Sequence, residues 1–181
     1  MIIDFEEAKE FDPKITRRDL LSLEKAIIEE SNNHFRLSDV YNPVTQVERD
    51  GTLHIQGRNY IQVADTVEVR GIDLVEGIYY VKEVGDGYVK LDIDKLLRYS
   101  GENLSGRLYI VDYPYEVTKG ARQIIEHLAN KKSNDKEKTV RSKSVGRVRY
   151  EYVTDQPEDE IHGAPSRLWG FLENYKRLRW G

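Results

Sequence analysis

Hydrophobic residues change period twice along this chain, and those two switches limit the folds open to it more than any other feature. From Thr16 to about Phe35 the apolar positions Leu20, Leu23, Ile27, Ile28 and Phe35 recur at the spacing of one face of an α-helix. Glu24, Lys25, Glu29 and Glu30 fall on the other faces. Thr16 is placed to cap this helix, with Asp19 three positions on as a short-side-chain form of the capping box. Ahead of it, residues 1–15 read as an irregular acidic arm ending at Pro13, with no apolar stretch of the signal-peptide kind.

At Pro43 the period drops to two. Val47 and Arg49 lead into Asp50-Gly51, and Leu53 and Ile55 follow; an Asp-Gly pair between alternating segments predicts a hairpin, because its turn needs positive φ. Ile61, Val63, Val67 and Val69 form a further alternating stretch. Gly77–Val84 and Tyr88–Leu91 flank Gly85-Asp86-Gly87, a second hairpin, and Leu108–Val111 closes the series, with Asp92–Tyr99 a short helix or turn inside it. Several short strands with close turns predict a small barrel or sandwich, and the run from Asp65 to Leu91 resembles an SH3-like barrel.

After Pro114 the helical period returns. Val117, Ala121, Ile124, Ile125 and Leu128 make one stripe, and the helix is expected to end near Asn130. Residues 131–143 read as a loop, Val145–Val153 as one strand with an aromatic face, and 154–162 as an acidic loop. A last α-helix is expected from Pro165, with Leu168, Phe171, Leu172, Tyr175 and Leu178 as its stripe. The expected fold is therefore α+β: a small α-helical bundle with a small SH3-like β-barrel or β-sandwich inserted between its first two long helices. Residues 1–42 hold the N-terminal arm and first helix, 43–112 the inserted β domain, and 113–181 the second helix, basic loop, strand and C-terminal helix.

Composition removes several function classes. The 181 residues include no cysteine, which excludes disulfides, thiolate nucleophiles and cysteine metal sites. No apolar run approaches a membrane span. The formal net charge of -4 gives no overall attraction to nucleic acid. His34, His54, His127 and His162 share no helical metal-pair spacing, and Asp155, Glu158, Asp159 and Glu160 lack the alternation of a calcium loop, so no metal is expected. Gly101–Arg107 lacks the Lys-Ser/Thr ending of a phosphate loop and reads as a turn. No spacing singles out a carboxylate pair or a nucleophile, and the expectation is a protein that is not an enzyme and has no cofactor.

Two segments concentrate the residue types of interfaces. From Lys131 to Arg149 the basic residues Lys131, Lys132, Lys136, Lys138, Arg141, Lys143, Arg147 and Arg149 outweigh Asp135 and Glu137, a local charge of +6, and Tyr150 and Tyr152 follow. Basic residues beside aromatics suit an acidic partner surface or a nucleic-acid backbone. Trp169, Phe171, Tyr175, Arg177, Arg179 and Trp180 crowd the C-terminal segment, and these types dominate interface hot spots. Trp180 sits beside the last residue, where a chain frays unless it is pinned to its own core or to a neighbour.

Two stretches, Ser142-Lys-Ser-Val-Gly146-Arg-Val-Arg-Tyr150-Glu-Tyr152 and Gly163-Ala-Pro165-Ser-Arg-Leu168-Trp-Gly-Phe-Leu172-Glu-Asn-Tyr175-Lys-Arg177-Leu178, follow the two helices in an order that resembles the head-completion, or head–tail connector, proteins of tailed bacteriophages. The resemblance covers the helices and the C-terminal third, and not the β block. It implies a structural adaptor: a dodecameric ring of copies of itself beneath the portal protein, completing the head and leaving a channel for DNA. It places the protein at the head–tail junction of the virion, and in the host cytoplasm during assembly, away from any membrane. Portal contact would fall to Tyr175, Arg177, Arg179 and Trp180, with Trp169 beside them. Lys143, Arg147, Arg149, Tyr150 and Tyr152 would lie near neighbouring subunits or the channel, and the β block would point outward or toward the next tail or stopper component. The alternative is a nucleic-acid-binding module using the β domain and residues 131–149.

Overall fold

A computed structural model describes residues 1–93, 95–98, 100–102, 104–134, 142–145, 148–151 and 159–178. Its principal body is a closed antiparallel β-barrel of six strands: β1 (Arg36–Val47), β2 (Thr52–Ile55), β3 (Thr66–Arg70), β4 (Gly77–Gly85), β5 (Tyr88–Leu91) and β6 (Gly106–Val111). Around the barrel the order is β1-β2-β5-β4-β3-β6, and β6 returns to pair with β1. The helices are α1 (Phe5–Phe11), α2 (Arg17–Ser31), α3 (Tyr115–Asn134) and a 3-10 helix (Ser166–Tyr175). Two-stranded pieces complete the described chain: β7 (Ser142–Val145) with β8 (Val148–Glu151), and β9 (Glu160–Ile161) with β10 (Ala164–Pro165).

This overturns the expected helical bundle with an inserted barrel. The barrel is the main body, and the helical mass lies mainly on the C-terminal side, in α3 and the 3-10 helix. The physical reason is that the helices do not pack on one another alone. Their apolar cluster also takes in Phe35, Tyr80 and Val111 from the barrel and its entry. The strand hydrogen bonds also begin earlier than the alternation suggests. Asn32 ends α2 in the left-handed region (φ 50), and β1 opens at Arg36, seven residues before Pro43.

The two hairpins form as read. Val47 faces Leu53 across the Asp50-Gly51 turn, where Gly51 has φ 85, and Gly85 faces Tyr88 across Asp86-Gly87, where Gly87 has φ 73. Several local readings are corrected. The acidic arm contains α1, started by Asp4, whose carboxylate accepts from the N–H groups of Glu6 (2.9 Å) and Glu7 (3.3 Å). Helix α3 runs on to Asn134, past Asn130. The single strand over 145–153 is instead the β7–β8 pair, with Val145 opposite Val148.

The last helix is 3-10 and not α. At three residues per turn Trp169, Leu172 and Tyr175 fall in one row, and that row packs on the helical cluster. Gly120 of α3 makes room for it, since a Cβ there would meet the Phe171 ring at 2.2 Å.

Candidate interaction surfaces

The C-terminal segment is rooted before it is presented. Trp169 is 4% exposed and donates its indole N–H to the Ile161 carbonyl at 3.1 Å. Tyr175 is half-buried; its hydroxyl donates to Glu116 at 2.9 Å, and its carbonyl accepts from the Asn33 amide at 3.2 Å. The Glu116 bond pushes the Tyr175 hydroxyl above its ordinary pKa. Arg177 donates its backbone N–H to Ser31 at 2.8 Å, which ties the segment to the end of α2. Beyond this bond Leu178 is 76% exposed. Of the expected contact residues, Trp169 is thus committed to the core, Tyr175 is half-buried and bonded to Glu116 and Asn33, and Arg177 is at the surface. Lys143 and Tyr150 are register partners in the β7–β8 pair, as are Ser144 and Arg149. Arg147, Tyr152, Arg179 and Trp180 lie outside the described residues.

A second surface was not visible in the sequence. On the outer face of β1 and β6, Tyr41 sits directly opposite Tyr109, with ring centroids 5.7 Å apart. The Arg36 guanidinium lies over Tyr109 and that of Arg107 over Tyr41, each 5.0 Å from the ring centre. The result is a ladder of Arg36, Tyr109, Tyr41 and Arg107 running across two strands. It forms because Arg107 and Tyr109 alternate with the lumen-facing Leu108 and Ile110, and because β1 bulges between Arg36 and Tyr41.

Glu68, on the neighbouring β3, anchors the ladder. It is 2% exposed, receives Arg36 through both Nε and a terminal nitrogen (2.9 Å for the latter), and lies 3.0 Å from His34 Nδ1 and 3.4 Å from Arg70. Burial alone would raise its pKa; the adjacent His34 ring and Arg36 guanidinium reverse that and hold it at about 2. Arg36 is raised in turn, chiefly by its bond to Glu68. The only local signal was a carboxylate in an otherwise apolar alternating run, Val67-Glu68-Val69.

A second buried carboxylate, Glu24 of α2, joins the helices to the barrel. It is fully buried and accepts from Ile2 N (2.8 Å), Thr66 (2.8 Å), Tyr80 (2.9 Å) and Tyr113 (3.1 Å). Burial, and then this carboxylate, push the Tyr80 and Tyr113 hydroxyls well above the ordinary tyrosine range. With every donor aimed at the carboxylate and no access from solvent, Glu24 is a structural joint between the helices and the barrel.

Two open grooves flank α2. One, of about 410 Å³, is lined largely by apolar side chains of α2 and α3 with Asp12, Asp19 and His162; the other, of about 440 Å³, lies between α2 and the barrel beside Arg17, Lys25, Tyr79, Asp92 and Lys95. Among the described residues no group of three or more His, Asp or Glu side chains is arranged to hold a metal, and no helix is long and apolar enough to cross a membrane. Compared with protein-family models and with curated proteins, the sequence matches none.

Proposed function

We propose that this chain is a structural adaptor subunit of a phage head–tail connector, forming a ring beneath the portal that completes the head and leaves a channel for DNA. The observation that carries this reading is the arrangement of its C-terminal segment. A row of Trp169, Leu172 and Tyr175 is locked onto α2 and α3, and the Arg177–Leu178 stretch that follows is held at the surface by a backbone bond from Arg177 to Ser31 and by the Asn32 amide on the Arg177 carbonyl. A buried root with an exposed basic and apolar extension is how a segment is offered to a partner at low entropic cost. The same residues carry the sequence resemblance to connector proteins.

The test is to mix the full chain with assembled portal from the same genome and image the particles by cryo-electron microscopy. A ring of density below the portal is expected, and removal of residues 176–181 should abolish it while the chain still melts cooperatively, slightly below wild type for the lost Ser31 and Asn32 bonds. Full-length chain that fails to bind portal at any concentration would overturn the reading.

The arginine–tyrosine ladder favours a second reading, a nucleic-acid-binding module. That reading requires an affinity that falls steeply with salt; a flat salt response or no gel shift at low salt rules it out.

A further inference from the structure

The barrel has two outer walls of opposite character. One is the ladder wall of β1, β6 and β3. Two carboxylates there are already engaged: Glu68 is buried among Arg36, His34 and Arg70, and Glu76 pairs with Arg70 at 3.0 Å. Arg107 has no carboxylate partner among the described residues and lies open on Tyr41. Leu37 (43% exposed) and Tyr41 (45% exposed) add apolar area beside it.

The other wall is formed by β2, β5 and β4. Lys90 and Glu83 face each other on neighbouring strands, and both point outward because Val89 and Leu91 fill the lumen. Asp50 pairs with Lys90 at 2.5 Å and Glu48 with His54 at 2.6 Å. Glu83 and Asp86 have no ion pair among the described residues; Glu83 accepts from the Tyr88 hydroxyl at 2.7 Å and lies across from Lys90. This wall has a small acidic excess, with Glu48, Asp50, Glu83 and Asp86 against Arg49, Lys82 and Lys90. In the closed order β1-β2-β5-β4-β3-β6, β6 is three strands from β5 and β1 is three strands from β4, so the two walls face opposite ways.

We propose that the arginine–tyrosine wall of one copy docks on the acidic β2–β5–β4 wall of a second copy, head to tail. The occupant is argued from charge. Each wall offers the other an opposite charge, Arg107 on one side and Glu83 with Asp86 on the other, and such pairing sets register and suppresses wrong partners. Arginine and tyrosine are the types that concentrate binding energy at protein interfaces. A stacked base fits less well, since each ladder ring already has a guanidinium over it and the other ring beside it. Because the two patches differ, the contact is heterologous: it repeats from copy to copy and closes into a ring when each step turns by a constant angle. The inference deepens the ring reading above and rests on it for closure; the pairwise contact itself needs no portal.

The test uses the full chain in sedimentation velocity at low and high salt. Wild type should self-associate at low salt and dissociate as salt rises. Arg107→Glu and Glu83→Arg should each weaken association by about tenfold or more. Both positions are at the surface, so their melts should match wild type. An equal mixture of the two variants should associate where neither does alone, because each then meets an opposite charge.

Wild type that stays monomeric, variants that associate normally, or a mixture that is not rescued would each overturn the proposal. Wild type that stays monomeric but binds a fluorescent oligo(dT), with loss of binding in Arg107→Glu, would assign the wall to nucleic acid and also overturn it. Portal binding is read separately. Failure of the full chain to bind portal, with self-association and rescue intact, sinks the adaptor reading alone.

Discussion

The inside of the barrel and the junction beneath the helices are filled by opposite means. The lumen is aliphatic throughout: Val44, Val47, Leu53, Val67, Val69, Val81, Val89 and Leu108 are all fully buried. The junction places Ile3, Leu20, Ile27, Ile124 and Leu172 in one cluster with Tyr80 at its edge, and Glu24 is buried at the same join, with four donors on its two oxygens. In the barrel, strand register already decides which side chains meet, so apolar residues of suitable size suffice. At the junction, residues 2, 24, 66, 80 and 113 come together from separate segments, and no periodicity fixes how they meet. Directional bonds to one carboxylate fix it instead. A buried polar hub specifies an arrangement at the cost of being unforgiving when a member is lost.

The harshest way to break this comparison is to remove the hub. Glu24→Ala leaves Ile2 N–H and three hydroxyls without an acceptor and opens a cavity, with an expected loss of about 4 kcal/mol in urea unfolding. Glu24→Leu restores volume but not the acceptor, and most of the loss should remain. If Glu24→Leu unfolds at the wild-type midpoint, the hub is dispensable and the two regions differ in composition only. The barrel counterpart is Leu108→Ala, which removes a fully buried side chain and should cost about 3 kcal/mol by transfer and cavity terms alone. Leu108→Met should recover most of that, as a shape-tolerant core allows, and a Met variant no better than Ala would contradict the account of the lumen.

Acid sharpens the comparison by testing the polar side of it. Glu68 is held at about 2, below the ordinary 4.5. Its folded pKa is depressed, so its stabilisation is complete above 4.5 and is lost as pH falls from there toward 2. With part of the pair screened by solvent, the loss should be on the order of 1 to 2 kcal/mol. Glu68→Gln should flatten the stability profile across that window, and an unchanged slope would mean the arginine contacts do not stabilise the fold. Asp50 is also held at about 2, first by its bond to Lys90, but it lies at the surface and should contribute little to the slope.

What was legible in the sequence follows the same division. Both hairpins could be read because Gly51 and Gly87 must carry positive φ, a local demand that leaves a local signature. The stripe of α3 was legible because Val117, Ala121, Ile124 and Ile125 all face one cluster. Helix α1 is too short to show a period and is marked only by Asp4. The 3-10 form of Ser166–Tyr175 was hidden because Leu168, Phe171, Leu172 and Tyr175 also suit an α-helix. Glu24 reads as an ordinary polar position on the outer side of α2, since its partners lie 22 to 89 residues away and nothing local announces them. The ladder is invisible for the same reason: Tyr41 meets Tyr109 only once β6 closes the barrel against β1. The helical bundle was expected because periodicity counts helices without saying what they pack on.

The smallest predicted effect decides how far the hub depends on the helix that carries it. Thr16 caps α2 through a reciprocal pair: its hydroxyl accepts the Asp19 N–H at 3.2 Å, and its own N–H donates to the Asp19 carboxylate at 2.9 Å. Thr16→Ala removes the first of these at an exposed site and should cost about 1 kcal/mol, with Thr16→Ser close to neutral. Glu24 lies two turns further along the same helix, about 12 Å away by helical rise. If α2 is held by its packing and by the hub, the Thr16→Ala and Glu24→Ala losses should add to within about 0.5 kcal/mol. A double variant that loses markedly less than the sum would show that unfastening the first turn already releases the hub. The carboxylate would then stabilise the helix and not the joint between helix and barrel, and the contrast between the two regions would reduce to one between a helix end and a core.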